Sequence, residues 1–289
     1  MAFQHIAVIA KKGSTHYRDF YQRLLQFIRD SHRRVTCCTY LTGLLGLKGS
    51  DHGNDRLAQA DLCIVCGGDG TFLHANRLLH THQAALIGIN LGKLGFLTEV
   101  PVEHTFEVLT DVFNGNYEIE ERLMLEACIM HGDAVLSKDQ ALNDVVITNS
   151  QIARIIDIDC YVDGYPLTTY VADGVMVSTP TGSSAYALSA GGPVMAPHLR
   201  VLLITPICPH SLSHRPLVVS PRACITMQYD NPDKETLVTI DGQVSHPFAH
   251  DKRIVIKQSD YRATIVHPKG RNYFDILKSK LKWGMGNAY

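Results

Sequence analysis

The chain has 289 residues, of which 45% are hydrophobic and 19% are charged, and its formal net charge is −1. This length and composition indicate a globular protein of two domains with ample apolar material for a core, and they argue against disorder. The near-neutral charge provides no general basic surface, so we expect no nucleic-acid partner. We also expect no membrane span, because no apolar run approaches the roughly 20 residues that a spanning helix needs.

The N-terminal apolar stretch does not resemble a signal peptide, because it is short and lacks a preceding basic region and a following small-residue cleavage site. The eight cysteines are scattered, mostly in strand-like apolar segments. A free thiol in such a segment behaves as a small buried hydrophobe. These features predict a reduced, cytoplasmic protein and not a disulfide scaffold.

The first third of the chain alternates short β-branched runs with amphipathic stretches. Predicted strands cover residues 5–10, 34–40, 62–66 and 84–90, and predicted helices cover 15–30, 57–60, 71–79 and 101–114. The run LCIVC at 62–66 is uniformly apolar, as is typical of a buried parallel strand. The alternation predicts an α/β domain with a parallel sheet over residues 1–115.

Beyond about residue 116 the chain becomes strand-rich, with turns marked by Gly, Pro, Asn and Asp. The predicted strands are 123–129, 141–147, 154–162, 173–179, 217–220, 225–229, 236–242, 253–258 and 263–267. Several alternate apolar and polar residues, as half-buried strands do. We predict a second, all-β domain of sandwich or layered type over residues 116–289, closed by an amphipathic C-terminal helix at 273–282.

The sequence GGDGT at 67–71 directly follows the buried strand 62–66 and precedes a predicted helix. Its glycines allow a tight turn and a close approach to phosphate, and the helix start offers free N–H groups to the same anion. A carboxylate here repels phosphate, so Asp69 is predicted to bind Mg²⁺ or to accept a hydroxyl proton during phosphoryl transfer. The alternative is that Asp69 only caps the helix.

Metal binding by the protein itself is not predicted. Cys63 and Cys66 form a C-x-x-C pair, but a zinc site needs a second pair or suitably spaced histidines. The 15 histidines show no such spacing. Core packing therefore accounts better for the two cysteines, with a metal or redox role as the alternative.

The GGDG pattern resembles three groups of kinases: NAD kinases, diacylglycerol-type lipid kinases and phosphofructokinases. A second sequence, TPTGSSAY at 179–186, offers hydroxyls, backbone N–H groups and a flat ring to a nucleotide. With NLGKLGFLT at 90–98, LNDV at 142–145 and DGQ at 241–243, it makes the chain similar to NAD kinases over nearly its whole length. The lipid-kinase and phosphofructokinase interpretations predict neither TPTGSSAY nor NLGKLGFLT.

The resemblance implies that ATP, with Mg²⁺ or another divalent metal, phosphorylates the 2′-hydroxyl of the adenosine ribose of NAD and gives NADP. It implies that Asp69 orients and deprotonates this hydroxyl, and that Gly70 lies against the same substrate. Asn143 and Asp144 are implied to hold the adenosine ribose, although many members of the family have Glu at the latter position. Asp173 is implied to lie near the nicotinamide carboxamide. The resemblance also implies a homodimer or homotetramer, built largely through the β domain.

Further NAD contacts that the resemblance implies are Arg154, Thr181, Ser184, Ala185, Tyr186, Ala187, Leu188, Ser189 and Gln243. Two basic residues keep two interpretations each. His74 lies where several members have Arg, so it either reaches a phosphate or faces solvent. Lys93 either meets ATP phosphates or is a solvated turn residue.

Two other functions remain as alternatives. The first is an NAD(P)-sensing module with an idle kinase site, although both loops and Asp69 are intact. Alternatively, the chain phosphorylates a different hydroxyl, on a lipid or a sugar. An assay with NAD, ATP and Mg²⁺, followed by a substrate panel, distinguishes the three functions.

Overall fold

The computed structural model describes residues 3–48, 53–149, 155–231 and 235–283. The chain divides into two compact units, of which the first comprises Met1–Glu121 and Ala263–Tyr289 and the second Arg122–Arg262. The C-terminal residues belong to the first unit because the last strand pairs there, through Ile265 and Leu86. The boundary predicted near residue 116 stays a prediction.

The first unit is built around a parallel sheet. Its elements in chain order are β1 His5–Ala10, α1 Arg18–Asp30, β2 Arg34–Cys37, α2 Thr39–Leu45, α3 Asn54–Leu57, β3 Leu62–Gly67, α4 Asp69–Leu79, β4 Ala85–Asn90, β5 Val100–Pro101 and α5 Thr105–Phe113. The strand order is β2-β1-β3-β4, and each neighbouring pair is parallel. Strands β1, β3 and β4 are buried along their whole length, so the predicted α/β domain with a parallel sheet is confirmed.

The second unit is dominated by antiparallel strands. The elements that follow α5 along the chain are β6 Tyr117–His131, β7 Ala134–Ala141, β8 Asp144–Asn149, β9 Ile156–Val162, β10 Tyr165–Ala172, β11 Gly174–Ser178, α6 Tyr186–Ser189, β12 Leu202–Ile207, β13 Leu217–Val219, β14 Ile225–Gln228, β15 Thr236–Ile240, β16 Val244–Phe248, β17 Arg253–Pro268 and α7 Tyr273–Leu281. Of these, the start of β6, the end of β17 and α7 belong to the first unit. A six-stranded sheet has the order β13-β12-β11-β8-β15-β16. The predicted β domain and closing helix are confirmed.

The core of the second unit comes from strands whose apolar residues alternate. In β15 the buried positions are Thr236, Val238 and Ile240, and the residues between them are only partly buried. Such alternation places one face of a strand in the core. The core cluster also draws on β8, β9, β11, β12 and β14. This packing fixes the ends of β8 and β15, which carry candidate site residues.

Several elements differ from the prediction. Residues 253–268 form one strand, not two, because the intervening segment 259–262 has neither Gly nor Pro and Ser259 is itself buried. The strand predicted over 34–40 ends at Cys37, and α2 begins two residues later. Helix α4 begins at Asp69, earlier than predicted. Strands β7, β10, β12 and β16 and helix α2 were not predicted.

Among the described residues, no helix is both long and apolar enough to cross a membrane.

Candidate active site

Asp69 lies at the carboxyl end of β3, in the first turn of α4. Gly68 is the N-cap residue and, as a glycine, has no side chain with which to cap the helix. Gly67 is required at its position because a Cβ there would lie 2.4 Å from the Thr71 hydroxyl oxygen. The Asp69 side chain bonds to residues 96–98 and not to its own helix, so it is not a helix cap, which was the alternative left open by the sequence.

The Asp69 carboxylate instead accepts hydrogen bonds from the loop that follows β4. Its Oδ1 accepts from the amides of Leu97 at 2.9 Å and Thr98 at 3.1 Å, and from the Thr98 hydroxyl at 3.2 Å. Its Oδ2 accepts from the Phe96 amide at 2.9 Å. A carboxylate has about four lone-pair sites on its two oxygens. Within the described part of the chain, Oδ1 accepts from three donors, whereas Oδ2 accepts from one and can accept one more hydrogen bond.

The loop reaches Asp69 because two glycines permit close contacts. A Cβ at Gly95 would lie 2.1 Å from Asp69 Oδ1 and 2.4 Å from the Thr98 hydroxyl oxygen. A Cβ at Gly88 would lie 2.4 Å from the Leu97 carbonyl oxygen. The GKLG part of the sequence is thus shaped by the approach of the loop to the carboxylate.

Asn90, the last residue of β4, folds this loop back on itself. Its side-chain amide donates to the carbonyls of Lys93 and, at 3.2 Å, Thr98, and its Oδ1 accepts from the Gly92 amide at 2.6 Å. The Gly95 amide also donates to the Thr98 carbonyl at 3.0 Å. These bonds give the loop a defined shape, and with it a defined direction for the amides that face Asp69.

A pocket of about 380 Å³ opens beside the GGDGT turn in the first unit. Its lining comes from the segments that follow β1, β3 and β4, which all end at the same edge of the parallel sheet. Ligands of open α/β sheets bind at this carboxyl edge. The lining residues are Lys11, Lys12, Gly13, Ser14, His16, Tyr17, Gly67, Gly68, Leu91, Gly92 and Lys93. Lysines with glycine backbone suit a polyanion, and Lys93 lies among them.

His74 is half-buried on α4 and does not stand free in solvent. Its Nδ1 accepts from the Arg77 guanidinium at 3.0 Å. Burial, and then the charges of Arg77 and Lys12, lower the pKa of His74 below its ordinary value. A neutral imidazole that already accepts from Arg77 is a weaker phosphate ligand than a charged side chain.

In the second unit, the Asp241 carboxylate accepts hydrogen bonds from the backbone amides that lead into β8, as the Asp69 carboxylate does from the amides of its loop. The amides that lead into β8 are those of Leu142 at 2.9 Å, Asn143 at 2.7 Å and Asp144 at 3.1 Å. Asp241 and Gly242 both have positive φ, at 50° and 64°, as a type I′ turn between β15 and β16 requires. The turn thereby fixes the start of β8.

A pocket of about 390 Å³ lies at this point of the second unit. Its lining includes Asn143, Asp144, Val146, Thr148, Ala185, Tyr186, Thr239, Asp241 and Gly242. Within the described residues, the buried Oδ1 of Asn143 has no hydrogen-bond partner. A buried oxygen without a donor is costly unless a ligand supplies one. This acceptor therefore favours a bound hydroxyl or amide.

Asp144 is buried, with a relative exposure of 5%. Its burial, and then the charge of Asp241, raise the pKa of its carboxyl to about 7. The group is thus able both to donate and to accept a hydrogen bond near neutral pH. Perturbed carboxyl groups of this kind are concentrated at functional sites.

The TPTGSSAY segment packs directly against Asn143. A Cβ at Gly182 would lie 2.1 Å from the Asn143 carbonyl oxygen, so only glycine allows this approach. The Thr179 hydroxyl donates to the Leu142 carbonyl at 2.6 Å, and the buried Arg122 donates to the Thr181 hydroxyl at 3.1 Å. These bonds fix the segment so that Ala185 and Tyr186 line the pocket, where Tyr186 is 45% exposed.

The remaining described residues that are predicted to contact NAD are not in the lining of either pocket. Ser184 donates to the Thr181 carbonyl at 3.2 Å. Asp173 and Gln243 are exposed, next to β11 and within the β15–β16 turn. Ala187 is buried in the core of the second unit, whereas Leu188 and Ser189 lie on α6 with partial and full exposure. Arg154 lies outside the described residues.

The described residues contain no group of three or more His, Cys, Asp or Glu side chains arranged to hold a metal ion. Cys63 and Cys66 are fully buried in β3. Burial, and after it the neighbouring thiols, raise the pKa of both well above the ordinary value. Such thiols are inert core residues, in agreement with the packing interpretation.

Sequence reasoning did not identify two features of the pockets. Asp241 belongs to the quoted DGQ motif, yet only Gln243 was selected from it. Lys11 and Lys12 were not selected, although a pair of lysines directly after a buried strand is a signal for the carboxyl edge of the sheet.

Comparison with known proteins agrees with these features. The ATP-NAD kinase N-terminal domain model matches residues 6–117, and the ATP-NAD kinase C-terminal domain model matches residues 142–268. The NAD kinase of Geotalea daltonii is 45% identical over 231 residues, which are 80% of this chain and 81% of that protein. The NAD kinase of Solibacter usitatus is 36% identical over 282 residues, 96% of each chain.

Two solved structures share the fold. Yeast NADH kinase complexed with NADH gives a TM-score of 0.88 at 24% identity, covering 99% of this chain and 89% of that one. An NAD kinase from Archaeoglobus fulgidus in complex with ATP gives a TM-score of 0.76 at 26% identity, covering 96% and 99%. Since both domain models match in order and the curated relatives span most of the sequence, the chain belongs to the NAD kinase family.

Proposed function

We propose that this chain transfers the γ-phosphate of ATP to the 2′-hydroxyl of the adenosine ribose of NAD, giving NADP and ADP, with Asp69 as the general base. The observation that carries this proposal is the Asp69 carboxylate. It lies in a glycine-rich turn at a helix start and is held by four donors, with acceptor capacity left on Oδ2. The membership of the NAD kinase family supports the same reaction.

A carboxylate is a weak base for an alcohol. Its contribution in phosphoryl transfer comes from position, since proton transfer is late in a loose transition state and the attacking oxygen must be in line with the phosphorus. The donors on Oδ1 hold the Asp69 side chain in one orientation. We therefore assign the base to Oδ2 and expect the 2′-hydroxyl of NAD to donate to it.

The pocket of the second unit is proposed to hold the adenosine part of NAD. Vicinal ribose hydroxyls need acceptors and a donor, which the unpartnered Oδ1 of Asn143 and the partly protonated Asp144 provide. The exposed ring of Tyr186 offers a stacking face. The Asp144 backbone amide donates to Asp241, which fixes the point from which the carboxyl group extends.

The other predicted NAD contacts remain part of this proposal. They are Gly70, His74, Arg154, Asp173, Thr181, Ser184, Ala187, Leu188, Ser189 and Gln243. Of these, His74 is the weakest candidate for a phosphate contact, because its ring already pairs with Arg77.

The lysine-lined pocket of the first unit is proposed to hold the phosphates of ATP. Lys11, Lys12 and Lys93 supply positive charge, and the glycines at 67 and 68 allow backbone N–H groups to approach. A divalent metal, Mg²⁺ above all, is proposed to accompany ATP. It would be held mainly by phosphate oxygens and water, as Mg²⁺ usually is, and it would neutralise charge on the transferred group.

Cytoplasmic location and assembly into a homodimer or homotetramer complete the proposal. The free, mostly buried cysteines support a reducing compartment. The exposed apolar residues Leu217 and Val218 on the edge strand β13 support contact between copies through the second unit.

The test is an assay of NADP formation with purified chain, NAD, ATP and Mg²⁺, run beside a panel of lipid diols and sugars. The proposal predicts NADP above background and a preference for NAD. No NADP would favour a sensing module, and preference for a lipid or sugar hydroxyl would overturn the assigned substrate. Asp69→Asn should keep NAD binding and lose most of the turnover.

A further inference from the structure

The segment from the end of β17 through α7 contacts the Asp69-holding loop, here defined as residues 94–99, at two separate places. At its start, His267 Nδ1 and Arg271 both contact Glu99, which directly follows the donor Thr98, and the Arg271 Nε lies 2.5 Å from Glu99 Oε2. At its end, Lys280 of α7 donates from Nζ to the Leu94 carbonyl. All these residues belong to the first unit. Both ends of the loop are thus tied to the same C-terminal segment.

The first contact joins the side chains of His267 and Arg271 to those of Glu99 and Glu120. His267 Nε2 lies 3.1 Å from Glu120 Oε2, and Arg271 Nη1 lies 3.0 Å from the same oxygen. Both ring nitrogens of His267 thus face carboxylate oxygens. The His267 side chain is 4% exposed and that of Glu99 is 10% exposed. Burial alone would raise the pKa of Glu99, but the hydrogen bond and charge of His267, with those of Arg271, hold it below its ordinary value.

The second contact distinguishes Lys280 from its neighbours on α7. Lys278 has a side chain that is 64% exposed and lies 3.9 Å from Asp275, a pairing that contributes little. Lys280 is partly buried, its ammonium donates to a loop carbonyl, and its Nζ lies 5.6 Å from the centroid of the Phe96 ring. Phe96 supplies the amide that faces Asp69 Oδ2. Lys280 therefore contacts the loop on either side of Gly95.

We propose that the C-terminal segment 267–281 is a positioning element for the proposed base, and that Lys280 is a positioning residue that aligns the amide donors with the Asp69 carboxylate. The role rests on the proposed function of Asp69, because alignment of this carboxylate matters to turnover only if it accepts the hydroxyl proton. Lys280 touches neither the reacting atoms nor, in this proposal, either substrate. It acts through residues 94–98.

The decisive variant is Lys280→Met, which keeps the apolar stem and removes the donor. Its matched control is Lys278→Met on the same helix. We expect Lys280→Met to lower kcat about tenfold, a fraction of the roughly hundredfold cost of a 1 Å misplacement, with KM for NAD and ATP and the unfolding temperature near wild type. Lys278→Met should match wild type in all four. Lys280→Arg, which restores a donor, should recover most of the lost kcat.

A second measurement does not depend on activity. Amide hydrogen exchange of Phe96, Leu97 and Thr98 in the free protein should be faster in Lys280→Met than in wild type or Lys278→Met. In an Asp69→Asn background, Lys280→Met should cause no further loss of turnover, because the two changes act through one alignment.

Three results would overturn the proposal: unchanged kcat in Lys280→Met, exchange at 96–98 that does not change, or a full additional loss in the Asp69→Asn background. If Lys280→Met fails to fold, Lys280→Arg, which has donors, is compared with Lys280→Leu, which has none, and equal kcat in the two would refute the donor role. Inactive wild-type protein would contradict the proposed function, whereas the exchange experiment would still report whether Lys280 aligns the loop.

Discussion

Substitution of Gly95 by alanine tests the alignment of Asp69 with a single added methyl group. The new Cβ would lie 2.1 Å from Asp69 Oδ1, whereas ordinary contact begins at 3.4 Å, so the two atoms must separate by about 1.3 Å. Gly95 does not have a positive φ, so alanine adds no backbone strain there. The added methyl group therefore acts on Asp69 and, at 2.4 Å, on the Thr98 hydroxyl.

A displacement of about 1 Å at a catalytic group costs on the order of a hundredfold in rate, or about 2.7 kcal/mol of transition-state stabilisation. We expect Gly95→Ala to lower kcat by roughly that factor, with KM for NAD and ATP changed much less. Steady-state kinetics of NADP formation measure this, and thermal unfolding checks that the fold persists. Gly43→Ala on α2, where a Cβ would meet no atom within 4 Å, is the control. Wild-type kcat in Gly95→Ala would refute the alignment argument.

Three further predictions concern the two pockets. The pKa of folded Asp144, about 7, lies above its ordinary 3.8. Its contribution to the free energy of unfolding is therefore complete below about pH 4 and is lost as the pH rises through 7. Asp144→Asn should flatten this pH dependence in denaturant titrations, and an unchanged slope would contradict the raised pKa. Gly182→Ala, whose Cβ would lie 2.1 Å from the Asn143 carbonyl oxygen, should raise KM for NAD at least about tenfold with KM for ATP unchanged, as measured by initial rates. Lys12→Met in the lysine-lined pocket should do the reverse, raising KM for ATP several-fold and weakening its salt dependence, and an effect on NAD alone would reassign the pocket.

The sequence predicts the elements that local pattern determines. Strand β3 is a continuous apolar run ended by glycines, and the parallel sheet around it follows from the alternation of strands and helices. The strands ATIVH and RIVIKQ were each predicted, but their continuity was not, because the residues between them are polar and the burial of Ser259 has no signal in a single sequence.

Short or polar elements were missed for related reasons. Strand β7 reads AVLSKDQA and shows no regular alternation, since most of its residues are exposed or partly so. Strand β12, LLITPI, is fully buried, and a short apolar run without alternation is ambiguous between strand and helix segment. Its assignment needs the neighbours β11 and β13, which only the fold supplies.

At the candidate site, the sequence indicates which residues matter more readily than what they contact. The Asp69 carboxylate is recognisable within GGDGT, but its donors lie 27 to 29 residues away, in a loop whose approach depends on tertiary packing. Asp241 contacts amides 97 to 99 residues away. Such long-range contacts leave no local periodicity, so the hydrogen bonds of these two carboxylates to distant backbone amides were not predictable from residue spacing.

The most direct test of the central claim is a crystal structure of the chain with bound NAD. We expect the 2′-oxygen of the adenosine ribose to lie within hydrogen-bond distance of Asp69 Oδ2, while Oδ1 keeps its donors from Leu97 and Thr98. A 2′-oxygen far from this carboxylate, with another side chain in reach of its proton, would contradict the assignment of Asp69 as the base.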